Sequence, residues 1–223
     1  LAKLRASNKK LFWANGRYTG DFYGMGWPYD NYNDYYQTEI TELPMYGNII
    51  RLSVKNSSLV SSPPLTANGP FQLITDSTKV KGDYNINRDL TSNVFRKPLV
   101  ILPASYNQEV PFKVSTGLIN DLLKANLPNY VSSISYKKPQ DLKTLYSVPK
   151  DTVFRRMLLP SDNFIAEQLL LTYAAENNLE MNSSVVIDYV VKNFLADLPD
   201  KPQWVFGSGL SRRDLFTPRD MVK

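Results

Sequence analysis

The run Met157-Leu-Leu-Pro-Ser161-Asp-Asn163-Phe-Ile-Ala-Glu167 marks a change of texture along the chain. Downstream of Pro160-Ser161, Phe164, Ile165, Leu169 and Tyr173 recur at helical spacing and are predicted to share one helix face. A Ser at a helix start followed by Asp and Asn is also a common capping pattern, because short polar side chains satisfy free backbone N–H groups and an Asp favours the dipole. On the same logic Glu167 reads as a structural first-turn carboxylate facing the helix N-terminus. A second helix is expected after Ser183, with Val186, Ile187, Val190, Phe194 and Leu198 as its apolar stripe and Pro199 and Pro202 as its stop. Thr217-Pro218 reads as the N-cap and first position of a further helix. The chain reaches Lys223 five residues after Pro218, so the natural domain is expected to continue.

Upstream of this run, strands and loops dominate. Ile50, Leu52 and Val54 alternate with Arg51 and Ser53, the period of a half-buried strand. Ser57 to Pro70 is rich in Ser, Pro, Asn and Gly and reads as a loop. Phe71–Asp76, Pro98–Leu102 and Glu109–Val114 are further strand candidates. Over Ser115–Leu127 the period becomes helical, with Leu118, Ile119, Leu122, Leu123 and Leu127 on one face and Ser115 as N-cap. Residues 11–36 hold ten aromatic residues and four glycines with no regular period, which suggests a convoluted loop. Its rings either pin that loop or offer a stacking surface for a glycan or peptide. The composition shift near residue 150 is the best boundary.

Two absences narrow the chemistry. The 223 residues contain no His and no Cys. A Ser-His-Asp triad, a Cys nucleophile and zinc sites built from His and Cys are therefore excluded within the chain. No cofactor is implied. The formal charge of +5 comes from scattered residues, which argues against nucleic acid as a partner. No apolar run approaches the roughly 20 residues of a membrane helix, so the chain is not expected to be transmembrane.

Ser161-Asp-Asn163 matches the second motif of histidine-free serine acyl-transferases, which pair it with Ser-x-x-Lys and Lys-Thr-Gly. A lysine of lowered pKa takes the nucleophile's proton in such enzymes. The spacing of two sets the first and third side chains on one side of a tight loop.

Four segments, in order, resemble the class C low-molecular-mass penicillin-binding proteins, the D-alanyl-D-alanine carboxypeptidases and endopeptidases. They are Gly24-Met-Gly-Trp27-Pro-Tyr-Asp30-Asn, Asn48 opening the Ile-rich strand, Ser147-Val-Pro149 leading to Ser161-Asp-Asn163-x-x-Ala-Glu167, and Gly207-Ser-Gly-Leu-Ser-Arg212 before Thr217-Pro218. The resemblance implies an α+β fold, part of a transpeptidase/β-lactamase-like domain with β-rich insert domains. Residues 1–145 would be insert material and residues 146–223 an incomplete helical part of the catalytic domain. It implies a serine hydrolase of peptidoglycan metabolism in the periplasm or exported to the cell envelope, acting by proteolysis on stem peptides and acylated by β-lactam antibiotics. Ser161 and Asn163 would be its proton-relay and substrate-amide residues. Trp27, Asp30, Tyr35 and Ser208 would bind substrate.

The nucleophile motif is expected elsewhere. Ser-x-x-Lys occurs at Ser7–Lys10, Ser135–Lys138 and Ser147–Lys150, none at the family's position, and Lys-Thr-Gly is absent. The family places its nucleophile well upstream, hence before Leu1, and residues 1–223 alone are expected to be inactive. Phe206 stands where the family usually has Asp, which puts local hydrogen bonding in question. The alternative reading is a non-catalytic envelope protein that binds glycan or peptidoglycan.

Overall fold

The computed structural model describes residues 2–78, 83–138, 140–141 and 143–223. In chain order the elements are α1 (Ala2–Arg5), β1 (Leu11–Asn15), β2 (Ile49–Lys55), β3 (Ser58–Ser62), β4 (Gln72–Asp76), β5 (Asn87–Arg88) and β6 (Val94–Pro98). They continue with β7 (Asn107–Pro111), α2 (Thr116–Asn126), β8 (Tyr130–Ser135), α3 (Lys150–Leu158), α4 (Asn163–Glu176), α5 (Ser183–Phe194) and α6 (Pro218–Met221). The mixture of helices and segregated small sheets is the α+β class inferred from the sequence. Two compact units interleave along the chain. One is Leu1–Leu11, Pro28–Glu39 and Leu43–Val131, and the other is Phe12–Trp27, Ile40–Glu42 and Ser132–Lys223.

In the first unit, β2 pairs antiparallel with both β3 and β7. Its alternation works as predicted: Ile50 and Leu52 are buried while Arg51 points out and pairs with Glu109 at 3.0 Å. A second sheet has the order β4-β6-β5, with β4 parallel to β6. Phe71, Phe95 and Phe112 fill the core, with Phe71 and Phe112 at 4.9 Å between ring centroids. Ser115 caps α2 by accepting the Leu118 N–H, and all five periodic leucines and isoleucines of this stretch are buried. Arg88 is buried, and its guanidinium donates to the carbonyls of Pro111, Asp89, Leu90 and Ser92.

Two strand expectations need correction here. The stretch Ser57 to Pro70 is not all loop, because β3 forms a hairpin with β2. Asn56 and Ser57 both take left-handed φ values, 48° and 60°, the turn geometry whose twist matches two paired strands. A serine-rich strand with weak apolar contrast hides from a periodicity reading. Pro98–Leu102 is not a strand. β6 ends at Pro98, and Leu99 and Ile101 point to solvent.

The second unit is helical. Ile40, Leu171, Ala174, Met181, Val186 and Phe206 form its buried core. α4 turns a different face inward from the one predicted: Glu167, Leu171 and Ala174 are buried, whereas Phe164, Ile165, Leu169 and Tyr173 are only partly covered. Apolar residues occur on every side of this helix, so its period cannot select a face. α5 begins at Ser183 and is capped by Asn182, whose Oδ1 accepts the Ser184 N–H. Val186 and Ile187 are buried and Val190 packs on the core, but Phe194 is exposed and Leu198 lies beyond the helix. Thr217 caps α6 as expected, in a capping box with Asp220.

Candidate active site

Ser161 stands at the joint between two helices. α3 ends at Leu158, and the Asp162 N–H returns to the Met157 carbonyl at 2.8 Å. That six-residue closure puts Ser161 at the left-handed position where helix ends usually carry glycine, and its φ is +57°. Capping of α4 falls to Asp162, whose Oδ1 accepts the Ile165 N–H at 3.0 Å. Ser161 is thus released from the cap that the sequence alone offered it, and it is exposed. A serine held in a conformation that costs about 1–3 kcal/mol is typical of functional positions. Asn163, the first residue of α4, is half-buried.

Four residues beyond Asn163, and so on the same face of α4, lies Glu167. It is fully buried. Its Oε1 accepts the Ser208 N–H at 2.6 Å and its Oε2 accepts the Gly207 N–H at 3.3 Å. Burial pushes its pKa up to about 7, against the lowering effect of hydrogen bonds from Ser208 and Gly207, and Asp214 adds to the rise. The expectation of a first-turn carboxylate facing its own helix N-terminus is corrected: Glu167 ties the glycine run to α4. Its role is legible only in space, because 40 residues separate it from Gly207.

Phe206 closes the same cluster. It is buried, and its ring meets Trp27 edge-on at 4.7 Å. A Cβ on Gly24 would lie 2.2 Å from the Phe206 ring, so Gly24 is what admits the phenylalanine. The hydrogen bonding of the run is intact without an Asp at 206, since Asp214 Oδ1 accepts the N–H groups of Val205 (2.7 Å) and Phe206 (3.2 Å).

Ser161, Asn163, Trp27 and Ser208 therefore fold in one unit. Asp30 and Tyr35 belong to the other. Asp30 is exposed on a 3-10 turn. Tyr35 stacks edge-on against Tyr36 and lines a cavity of about 370 Å³ with Asn33, Asp34, Asn107, Gln108 and Glu109. Glu42 is a further anchor unforeseen in the sequence: it accepts the N–H groups of Gly16, Arg17 and Tyr18 at 2.8–3.1 Å. Burial, with Asp21 and Glu167 nearby, raises the Tyr18 phenol well above its ordinary pKa. Among the described residues no group of acidic side chains could hold a metal ion, and no helix is long and apolar enough to cross a membrane.

Residues 121–223 match the D-Ala-D-Ala carboxypeptidase 3 (S13) family. No curated protein matches the chain. Among solved structures, penicillin-binding protein 4 from Haemophilus influenzae superposes with a TM-score of 0.65 at 14% identity, covering 92% of this chain and 50% of that one. The same protein complexed with a β-lactam gives 0.55 at 18% identity, over 83% of this chain and 48% of that one. The chain thus spans about half the length of the structures it matches. Residues 121–223 are thus similar to the D-Ala-D-Ala carboxypeptidase 3 (S13) family, and 92% of the chain shares its fold with about half of penicillin-binding protein 4.

Proposed function

We propose that this chain is the second-motif half of a serine D-Ala-D-Ala carboxypeptidase/endopeptidase of the cell envelope, exported or periplasmic, that acts on peptidoglycan stem peptides and is acylated by β-lactams. The nucleophile, from a Ser-x-x-Lys outside residues 1–223, attacks the carbonyl of the penultimate D-Ala while its lysine takes the proton. The terminal D-Ala leaves as an amine, protonated through Ser161, and water then releases the acyl group from the enzyme. Asn163 holds the substrate amide. Trp27 and Ser208 contribute to the substrate side of the cleft, and Asp30 and Tyr35, in the other unit, are further candidates for binding substrate by the family resemblance. The helical unit is our candidate for the returning part of the catalytic domain, and the β-rich unit for insert material.

The observation that carries this reading is the left-handed Ser161, freed from capping by Asp162 and set at the joint between two helices of the S13-matching segment. The test uses the natural full-length protein that contains these residues. It should label covalently with a fluorescent penicillin, and Ser161→Ala should lower peptide turnover by about 10²-fold or more, the usual weight of a positioned proton carrier. A folded full-length protein that never labels rejects the enzyme.

One observation favours a second reading, a glycan-binding envelope protein. The cavity beside the 60%-exposed Tyr35 is lined by carboxamides and carboxylates, the chemistry that recognises sugar hydroxyls. Binding of muropeptide-free glycan strands by residues 1–223, abolished by Tyr35→Ala, would support it.

A further inference from the structure

We infer that Glu167 is a positioning residue for the acyl-transfer site, clamping the Gly207-Ser208 backbone onto the face of α4 that also carries Asn163. The inference rests on the reading that Ser161 and Asn163 line the reaction cleft. A single side chain receives two consecutive backbone N–H groups at 3.3 and 2.6 Å, with no exposure to water. Gly207 fits because it lacks a side chain: a Cβ there would lie 2.6 Å from Leu170 Cδ1 and 3.3 Å from Glu167 Oε2. The next residue back, Phe206, is held by Trp27 and by Asp214. The glycine run is therefore fixed from two directions, and one of them, through Glu167, leads to Asn163 one helical turn away.

The clamp depends on charge. An ionised carboxylate offers acceptors to both N–H groups, and charge strengthens each bond. A protonated carboxyl group turns one oxygen into a donor, which opposes the N–H of Gly207. The charged and titratable groups around Glu167 are Asp214, whose charge disfavours that of Glu167, and the Tyr18 phenol, whose raised pKa keeps it neutral there. The raised pKa of about 7 then sets the release of Gly207 near neutral pH rather than in acid.

The experiment follows the amide ¹H–¹⁵N resonances of Gly207 and Ser208 across pH 5 to 9 in the full-length protein, and its acylation rate by a fluorescent penicillin over the same range. Both amides should shift together with a midpoint well above the ordinary carboxylate range, and Glu167→Gln should abolish that shift. The substitution should also slow acylation at high pH by about 10- to 100-fold, the effect of an ångström-scale misplacement, and remove the limb centred near neutrality while the limb from the lysine base persists. Amides in the wild-type protein that stay silent, a measurement that needs no variant to fold, overturn the clamp. Amides that titrate alongside an acylation profile unmoved by Glu167→Gln overturn the positioning role. A wild-type protein that never labels although its amides titrate rejects acyl transfer and the positioning role with it, whereas labelling with silent amides rejects the positioning role alone.

Discussion

Ser161 holds a left-handed backbone, φ +57°, at a helix end where glycine is the usual occupant. Replacing it with glycine should relieve that conformation and stabilise the fold by about 0.5–1 kcal/mol in urea unfolding, while lowering turnover of the full-length enzyme. A residue whose removal raises stability and lowers activity has been retained for chemistry. If Ser161→Gly were destabilising by more than its added chain entropy, the strain argument would fail. Phe206 carries the opposite lesson. The residue before the glycine run looked like a lost carboxylate, yet Phe206 is core, packed on Trp27 and admitted by Gly24. Phe206→Asp should therefore bury an unpaired carboxylate and cost on the order of 3 kcal/mol or more, measured as a lowered midpoint of thermal unfolding.

At the scale of elements, capping and hairpin turns decide more than apolar period. α2 was legible in full, because Ser115 and a one-sided stripe agree on where the helix starts and which face it buries. α4 was legible as a helix but not by its face, since apolar side chains surround it and only the neighbouring chain chooses among them. The cap also changed hands: Asp162, not Ser161, accepts from the first turn. Asp162→Ala should cost about 1 kcal/mol of stability, and Ser161→Ala much less, which separates capping from chemistry in one pair of denaturation curves. The β2–β3 hairpin escaped notice because its turn, Asn56-Ser57, lacks the Asn-Gly signal that marks most such turns.

Across the whole molecule, buried and half-buried carboxylates join segments far apart in sequence. Glu42 gathers Gly16 to Tyr18, Glu39 accepts the Val114 N–H, and Glu167 accepts Gly207 and Ser208. Glu167 adds a pH dependence to folding. Its pKa is raised from 4.5 to about 7 in the folded chain, so the native state binds more protons than the unfolded state between those values. The stability it contributes is present in full below about pH 4.5 and is lost as pH rises through about 7, by on the order of 3 kcal/mol for a group this buried. Urea midpoints of wild type and Glu167→Gln between pH 4.5 and 8 would show the difference, and parallel curves would refute it. From sequence alone came the strand-rich and helical stretches, the amphipathic helix α2, the central strand β2 and the lack of histidine and cysteine, while the α+β class came through the resemblance to a family. The former depend on local period, on capping and on which residue types exist at all. Only the tertiary structure could decide which side of α4 is inside, why Ser161 is free of the cap, and that Glu167 grips the glycine run. The face of α4 and the grip of Glu167 are long-range pairings of buried groups whose partner no local pattern encodes, whereas Ser161 is freed by the backbone closure at Met157–Asp162 and by the choice of Asp162 as cap.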